Sequence, residues 1–250
     1  MHIDRPVQEL RAKTRKCVFL PIGSCEQHGP HLPMDTDLRI AQLITEKVAD
    51  SFLDDAAVLL PAIPFSCSWE HKGLGMLALG TQTLSAILHD IAQSLKSWEI
   101  PILFIIINWH GGNSTLGSIT TEITARESIP TAAVQSLPLV QRLWEAEVGS
   151  LQDDIHAGVI ETSIIQAYWP ELVKTDALGE IDYIPDTSPI SSQLVLQALG
   201  IYSVSQNGVW GTPRLSQPEK GRTIIISAVE EIQHQVSKLL ELLDINQPGD

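Results

Sequence analysis

Ile102-Leu103-Phe104-Ile105-Ile106-Ile107 is the stretch on which the fold turns. It is apolar at every position, which suits a central strand covered on both faces; a half-exposed strand would alternate apolar and polar residues. Working outward, Cys17 to Ile22, Ala57 to Ile63 and Thr131 to Val134 are further short apolar runs that end in turn residues. Between them, Leu38 to Phe52, Leu84 to Trp98 and Leu116 to Arg126 carry apolar residues at spacings of three and four, as crossover helices do. The alternation predicts an α/β fold with a mostly parallel sheet and helices on both of its faces. In such sheets ligand sites form beyond the carboxyl ends of the strands, where the following loops converge.

From Asp153 onward the rhythm is less regular. A helix is expected from Gly158 to Trp169, a loop punctuated by proline from Asp176 to Pro189, and a further helix ending at Leu199. Near the end, Ile225, Val229, Ile232, Val236, Leu239 and Leu243 form one apolar stripe, which predicts an amphipathic helix packed on its own domain. The 250 residues, 44% of them apolar, suffice for one large core, and no linker divides the chain, so residues 1–250 read as a single domain.

Charge narrows the function. A net charge of -14 and a pI near 4.9 argue against nucleic acid, whose phosphates call for clustered Lys and Arg, and favour a small molecule or a peptide. Met1 to Lys16 has no apolar core of the signal-peptide kind and no run reaches the length of a membrane span, so a cytoplasmic protein without membrane contact is expected. Cys17, Cys25 and Cys67 lack a CxxC spacing and suggest neither a disulfide framework nor a thiolate zinc site.

Three clusters carry potential chemistry. The first follows the first strand: Gly23-Ser24-Cys25-Glu26-Gln27-His28-Gly29-Pro30-His31-Leu32-Pro33, then Asp35-Thr36-Asp37. Glu26 and His28, two apart on extended backbone, can point the same way towards neighbouring metals, with Asp37 bridging them. Alternatively Thr36 or Asp37 caps the next helix and the histidines make loop hydrogen bonds. The second, Asn108-Trp109-His110-Gly111-Gly112-Asn113, directly follows the all-apolar strand. His110 is a candidate ligand there, although the glycines would equally serve a tight turn with Asn113 or Ser114 as helix cap. The third, His156-Ala157-Gly158-Val159-Ile160-Glu161-Thr162-Ser163, opens a helix. His156 and Glu161, five apart, share a site only if His156 precedes the helix and Glu161 faces inward; otherwise one is a surface histidine and the other a first-turn glutamate. Trp69, His71, Trp109 and Trp210 are candidate substrate contacts, the last with a turn-bound apolar residue as its alternative.

Together, Leu20-Pro21-Ile22-Gly23-Ser24, Glu26 to Pro33, Asp37, Asn108 to Asn113, and His156-Ala157-Gly158 with Glu161-Thr162-Ser163 resemble the creatininase (creatinine amidohydrolase) family, from about Pro21 to Gly221. The resemblance implies a three-layer α/β/α fold, a hexamer, and two divalent metal ions per chain, zinc, manganese or iron. By position, Glu26, Asp37 and His110 would hold one ion, and His28 with bridging Asp37 the other. Creatininase itself has a glutamate ligand two residues after the ligand histidine, where this chain has Gly112; Glu161 is expected to fill that role, as ligand, base or both. His156 matches a histidine that faces substrate and handles protons. The implied activity is hydrolysis of a C–N bond in a cyclic amide or formamide. Gly73-Leu74-Gly75-Met76 stands where many members carry Phe-Pro-Gly-Thr, and Ser203 to Val209 looks like the mycofactocin-precursor peptidase branch. A non-catalytic protein that binds metal or ligand is the reading from another class.

Overall fold

A computed structural model describes residues 16–52, 56–151 and 153–245. Most of the N-terminal stretch read for a signal peptide lies outside them. The central sheet has four parallel strands: β1 (Lys16–Ile22), β3 (Ala57–Leu59), β5 (Ile102–Asn108) and β6 (Thr131–Gln135), in the order β3-β1-β5-β6. A small antiparallel pair, β2 (Cys25–Glu26) with β4 (Met76–Leu77), lies apart. The run expected to continue to Ile63 ends as a strand at Leu59; beyond it Leu60 N still donates to Phe19 O, and Ile63 bridges to Ile22.

All seven residues of β5 are buried, and their side chains alternate between two cores. Leu103, Ile105 and Ile107 join Phe19 on one face, beneath α1 (Thr36–Asp50), α4 (Ser136–Glu147), α5 (Val159–Tyr168) and α7 (Pro218–Ile245). Ile102, Phe104 and Ile106 join Val18 and Leu20 on the other, beneath α2 (Thr81–Lys96) and α3 (Leu116–Glu127). These are the three layers of an α/β/α sandwich, and the missing alternation in β5 is its sequence trace. The C-terminal helix packs on its own chain, with Ile225, Ile232 and Val236 buried in the first core. The remaining helix, α6 (Ser192–Leu199), lies near the surface with Leu194 and Leu199 exposed. Among the described residues no helix is long and apolar enough to cross a membrane. The three cysteines are free thiols.

Coverage of β5 on both faces has a measurable consequence. Ile105→Ala and Ile106→Ala, on opposite faces, should each cost about 2–5 kcal/mol of unfolding free energy in urea titrations. A cost confined to one of the two would contradict a strand buried on both sides.

Candidate metal centre

The loops leaving β1 and β5 and the turn entering α5 bring the three sequence clusters together. Glu26, His28, Asp37, His110, His156 and Glu161 are all buried. Asp37 sits in the first turn of α1 but does not cap it: Asp35 holds the cap position and pairs with Arg39, while the Asp37 carboxylate turns inward. Its Oδ1 lies 3.1 Å from His28 Nε2 and its Oδ2 lies 2.9 Å from His110 Nδ1. The opposite edge of each ring is held by a main-chain carbonyl, His28 Nδ1 by Glu26 O at 3.1 Å and His110 Nε2 by Cys67 O at 2.8 Å. A carbonyl can only accept, so each of those nitrogens carries the proton and the other is presented to the carboxylates. That is how metal-binding histidines are oriented, and the donor set fits divalent cations on this ground.

Glu26 contributes from β2. Its Oε2 accepts from Ser24 Oγ at 2.6 Å and lies 3.4 Å from His110 Nδ1, while Oε1 is 3.0 Å from His71 Nε2. Donor atoms of Glu26, His28 and Asp37 fall within 4.8 Å of one another, as do those of His28, His156 and Glu161, and those of Glu26, His71 and His156.

The third cluster enters as the joint role required. His156 precedes α5, bridged to Trp210 in an isolated antiparallel pair, and Glu161 lies in the helix's first turn, facing inward. Glu161 Oε1 accepts from Trp109 Nε1 at 3.1 Å and Oε2 from the Ala157 amide at 2.7 Å, with His28 Nε2 3.8 Å away. The Asp154 carboxylate, accepting from Val159 N and Ile160 N, secures the start of that helix. Asn113 is not a helix cap: its amide bonds Cys67 N, Ser66 Oγ and Asn108 Oδ1, tying the two loops together.

Buried carboxylates dominate the electrostatics. Among the described residues every ion-pair partner of Glu26, Asp37 and Glu161 is a histidine. Burial alone would lower the His28 pKa, but Asp37, with Glu161 and Glu26 behind it, overrides burial and raises it to about 10. Burial likewise opposes charge on His110, and Glu26 and Asp37 hold its pKa well above the usual imidazole value. Burial pushes Glu161 up to about 7, against the pull of His28. His156 goes the other way: burial, then the neighbouring His28 and His71, hold it well below the ordinary histidine value. A divalent cation would feel the same attraction that retains protons on His28 and His110.

A cavity of about 780 Å³ opens over the cluster, lined by Glu26, Asp37, His110, His156 and Glu161 among others. Trp69 stands at its rim, 57% exposed, and His71 lies on its wall. Trp109 and Trp210 are absent from the lining. Trp109 is wholly buried in the first core as the donor to Glu161, and Trp210 is buried with Val195 and Ile201, so neither is placed to touch substrate. Trp109 continues the alternation of Leu103, Ile105 and Ile107 towards the first core, a signal present in the sequence. Gly112 is explained first by the Cys67 carbonyl and then by Glu70, which sequence reasoning passed over. A Cβ at residue 112 would overlap Glu70 Oε1, the Cys67 carbonyl and His110 Nε2, so this site has no room for creatininase's glutamate.

A buried set of carboxylates and imidazoles, open to a cavity at the carboxyl ends of a parallel sheet, is able to hold divalent cations beside open space, as a metal-dependent enzyme requires. Comparison with known proteins gives the family: residues 4–236 match the one described as creatinine amidohydrolase, and the chain belongs to this creatininase family of amidohydrolases. It is 33% identical over 227 residues to the mycofactocin precursor peptide peptidase of Mycolicibacterium smegmatis, covering 88% of this chain and 84% of that one. It is 28% identical over 203 residues to the creatinine amidohydrolase of Pseudomonas putida, covering 72% and 75%. Among solved structures, one titled "Creatininase Mn" superposes with a TM-score of 0.78 at 20% identity, covering 95% of this chain and 97% of that one. Another, "E122Q mutant creatininase, Zn-Zn type", gives 0.75 at 22% identity with the same coverage. These two establish likeness of fold.

His31, from the same loop, is fully buried, with Nε2 2.9 Å from Thr162 Oγ1. Burial, then His28, lowers its pKa to about 4. As pH falls, the unfolded chain therefore takes up this proton first. The stability tied to neutral His31 is complete above about pH 6.5 and is lost as pH falls towards 4. His31→Gln should consequently lose less Tm than the native chain between pH 7 and pH 4. Parallel losses in thermal melts would show that His31 is not a source of acid sensitivity.

Proposed function

We propose that this chain hydrolyses a C–N amide bond using two divalent ions, zinc, manganese or iron, one held by Glu26, Asp37 and His110 and the other by His28, Asp37 and Glu161. The observation that carries this reading is the Asp37 carboxylate, whose two oxygens face two different, carbonyl-locked histidines. Such a pair of ions would lower the pKa of water between them and polarise a substrate carbonyl. The residues do the rest. Ser24 and His71 fix the Glu26 carboxylate, and Trp109 with the Ala157 amide fixes Glu161. His156 donates from Nε2 to Gln27 O at 2.7 Å, which leaves the Nδ1 lone pair facing the cluster. Uncharged in its buried site, that nitrogen accepts a proton from the attacking water and passes it to the departing amine, a service worth about 10²- to 10⁴-fold in rate.

The family resemblance favours a cyclic amide or formamide as substrate. A second reading, a peptide as in the mycofactocin precursor peptidases, draws support from the cavity. Its volume of about 780 Å³ falls in the range of roughly 300–1,000 Å³ that encloses drug-sized ligands, and Trp69, Leu196, Leu199 and Ile201 give it apolar walls. Assembly as a hexamer belongs to the same proposal and is read by solution mass.

Protein loaded with zinc or manganese should hold two ions per chain by elemental analysis and release amine from a panel of cyclic amides, formamides and short peptides. Glu26→Gln should abolish both properties. Glu161→Gln should weaken one ion selectively and lower kcat by about 10²-fold or more. A native chain that binds no metal and cleaves nothing in the panel would instead be a ligand-binding member of the family. Two ions held normally by Glu161→Gln would remove Glu161 from the ligand set.

A further inference from the structure

Gln27 lies between two of the ligands assigned above and touches neither cavity nor carboxylate. Its side-chain amide is oriented by groups of fixed polarity. Oε1 accepts from the Gly29 amide at 2.9 Å and Nε2 donates to the Gly208 carbonyl at 3.1 Å. A flipped amide would set oxygen against carbonyl and NH₂ against N–H, so the assignment rests on the main chain. The same Nε2 lies 3.1 Å from His71 Nδ1. An NH₂ group only donates, so His71 Nδ1 must accept, and the ring proton sits on Nε2, 3.0 Å from Glu26 Oε1. The main chain of Gln27 acts on the second ring: its carbonyl accepts the hydrogen bond from His156 Nε2–H, which leaves Nδ1 without a proton. The two rings lie in tilted contact, 4.4 Å between centroids and 56° between planes.

We propose that Gln27 is a positioning residue that sets the tautomers of two adjacent histidines, making His71 an Nε2–H donor to Glu26 and His156 an Nδ1 acceptor facing the site. This rests on the metal-centre reading above for its catalytic meaning. The hydrogen-bond polarity stands without it. With Oε1 engaged by His71, Glu26 turns Oε2 towards Asp37 and His110, so Gln27 acts on the ligand through one intervening ring. The assignment also removes a competing possibility. Glu26, His71 and His156 have donor atoms close enough to hold a further ion, but a ring nitrogen that carries a proton cannot bind one. His71 is thereby an orienting group for Glu26 before it is anything to substrate.

Gly208 completes the arrangement. Its φ of +78° is a backbone conformation that side chains disfavour, and a Cβ there would run into the Gln27 amide from Oε1 to Nε2. Gly208→Ala is therefore a way to disturb the amide without altering any group that contacts Glu26 or the rings.

The test is nitrogen NMR of the full chain with ¹⁵N-labelled histidine, first without metal and then titrated with zinc. In the native protein both His71 and His156 should appear as neutral Nε2–H tautomers. Gln27→Met, of similar length but unable to donate, should release His71 from that tautomer and leave His156 unchanged, since His156 is held by a carbonyl the substitution retains. Zinc affinity should fall about 10- to 100-fold. Gly208→Ala should move His71 in the same direction. A native His71 protonated on Nδ1, zinc shifts on His71 Nε2 in the loaded protein, or a His71 tautomer unmoved by Gln27→Met would each overturn the proposal. Should Gln27→Met fail to fold, the native spectrum and Gly208→Ala still decide it. Failure of the metal-centre reading looks different: the tautomers would be as expected while no zinc binds. A merely structural Gln27 would lower Tm without shifting the ring nitrogens of His71.

Discussion

Three carboxylates buried within reach of one another set the terms for everything around them. Glu26, Asp37 and Glu161 would repel if charged and would be costly to bury uncharged without partners. The fold answers with imidazoles from four separate segments, His28, His71, His110 and His156, and with the Ser24 hydroxyl, the Trp109 indole and the Ala157 amide, all set against carboxylate oxygens. Removing any one partner leaves a charge uncompensated in the interior, which is costlier than losing an exposed pair. Such a cluster persists because the parallel sheet fixes the strand ends from which the loops depart, and its two cores fix the sheet.

The architecture was legible where burial leaves a periodic trace. The β5 run, the three crossover helices and the C-terminal stripe all appear near their expected positions because packing on both sheet faces demands those patterns. What escaped has physical reasons too. The β2–β4 pair is two residues per strand and carries no period. The α4 helix does show apolar residues at helical spacing, Leu139, Val140, Leu143 and Trp144, but it begins at the very residue after β6, with no turn to announce it.

At the centre, individual residues were ambiguous for a different reason. Asp37 sits where a helix cap commonly sits, and His110 precedes glycines that would serve any turn; the structure gives the cap position to Asp35 and turns both side chains into the cluster. Trp109 shows the reverse. Its indole is part of the core on one edge and anchors Glu161 on the other, so the side chain most easily mistaken for a pocket wall joins hydrophobic packing to the site. The partners of that kind, Ser24, Gln27 and Glu70, lie next to recognisable motif residues and have no pattern of their own, because their roles depend on contacts between loops far apart in sequence.

Gly112 and Glu70 illustrate what such contacts imply over longer times. The Glu70 carboxylate lies beside His110 Nε2, in the space a side chain at 112 would occupy. A side chain at 112 would meet three occupied volumes at once, the Cys67 carbonyl first, then the Glu70 carboxylate and the His110 ring. A lineage that placed a longer residue at 112 would therefore have to shift the main chain at Cys67 as well, since trimming Glu70 alone leaves the other two clashes in place.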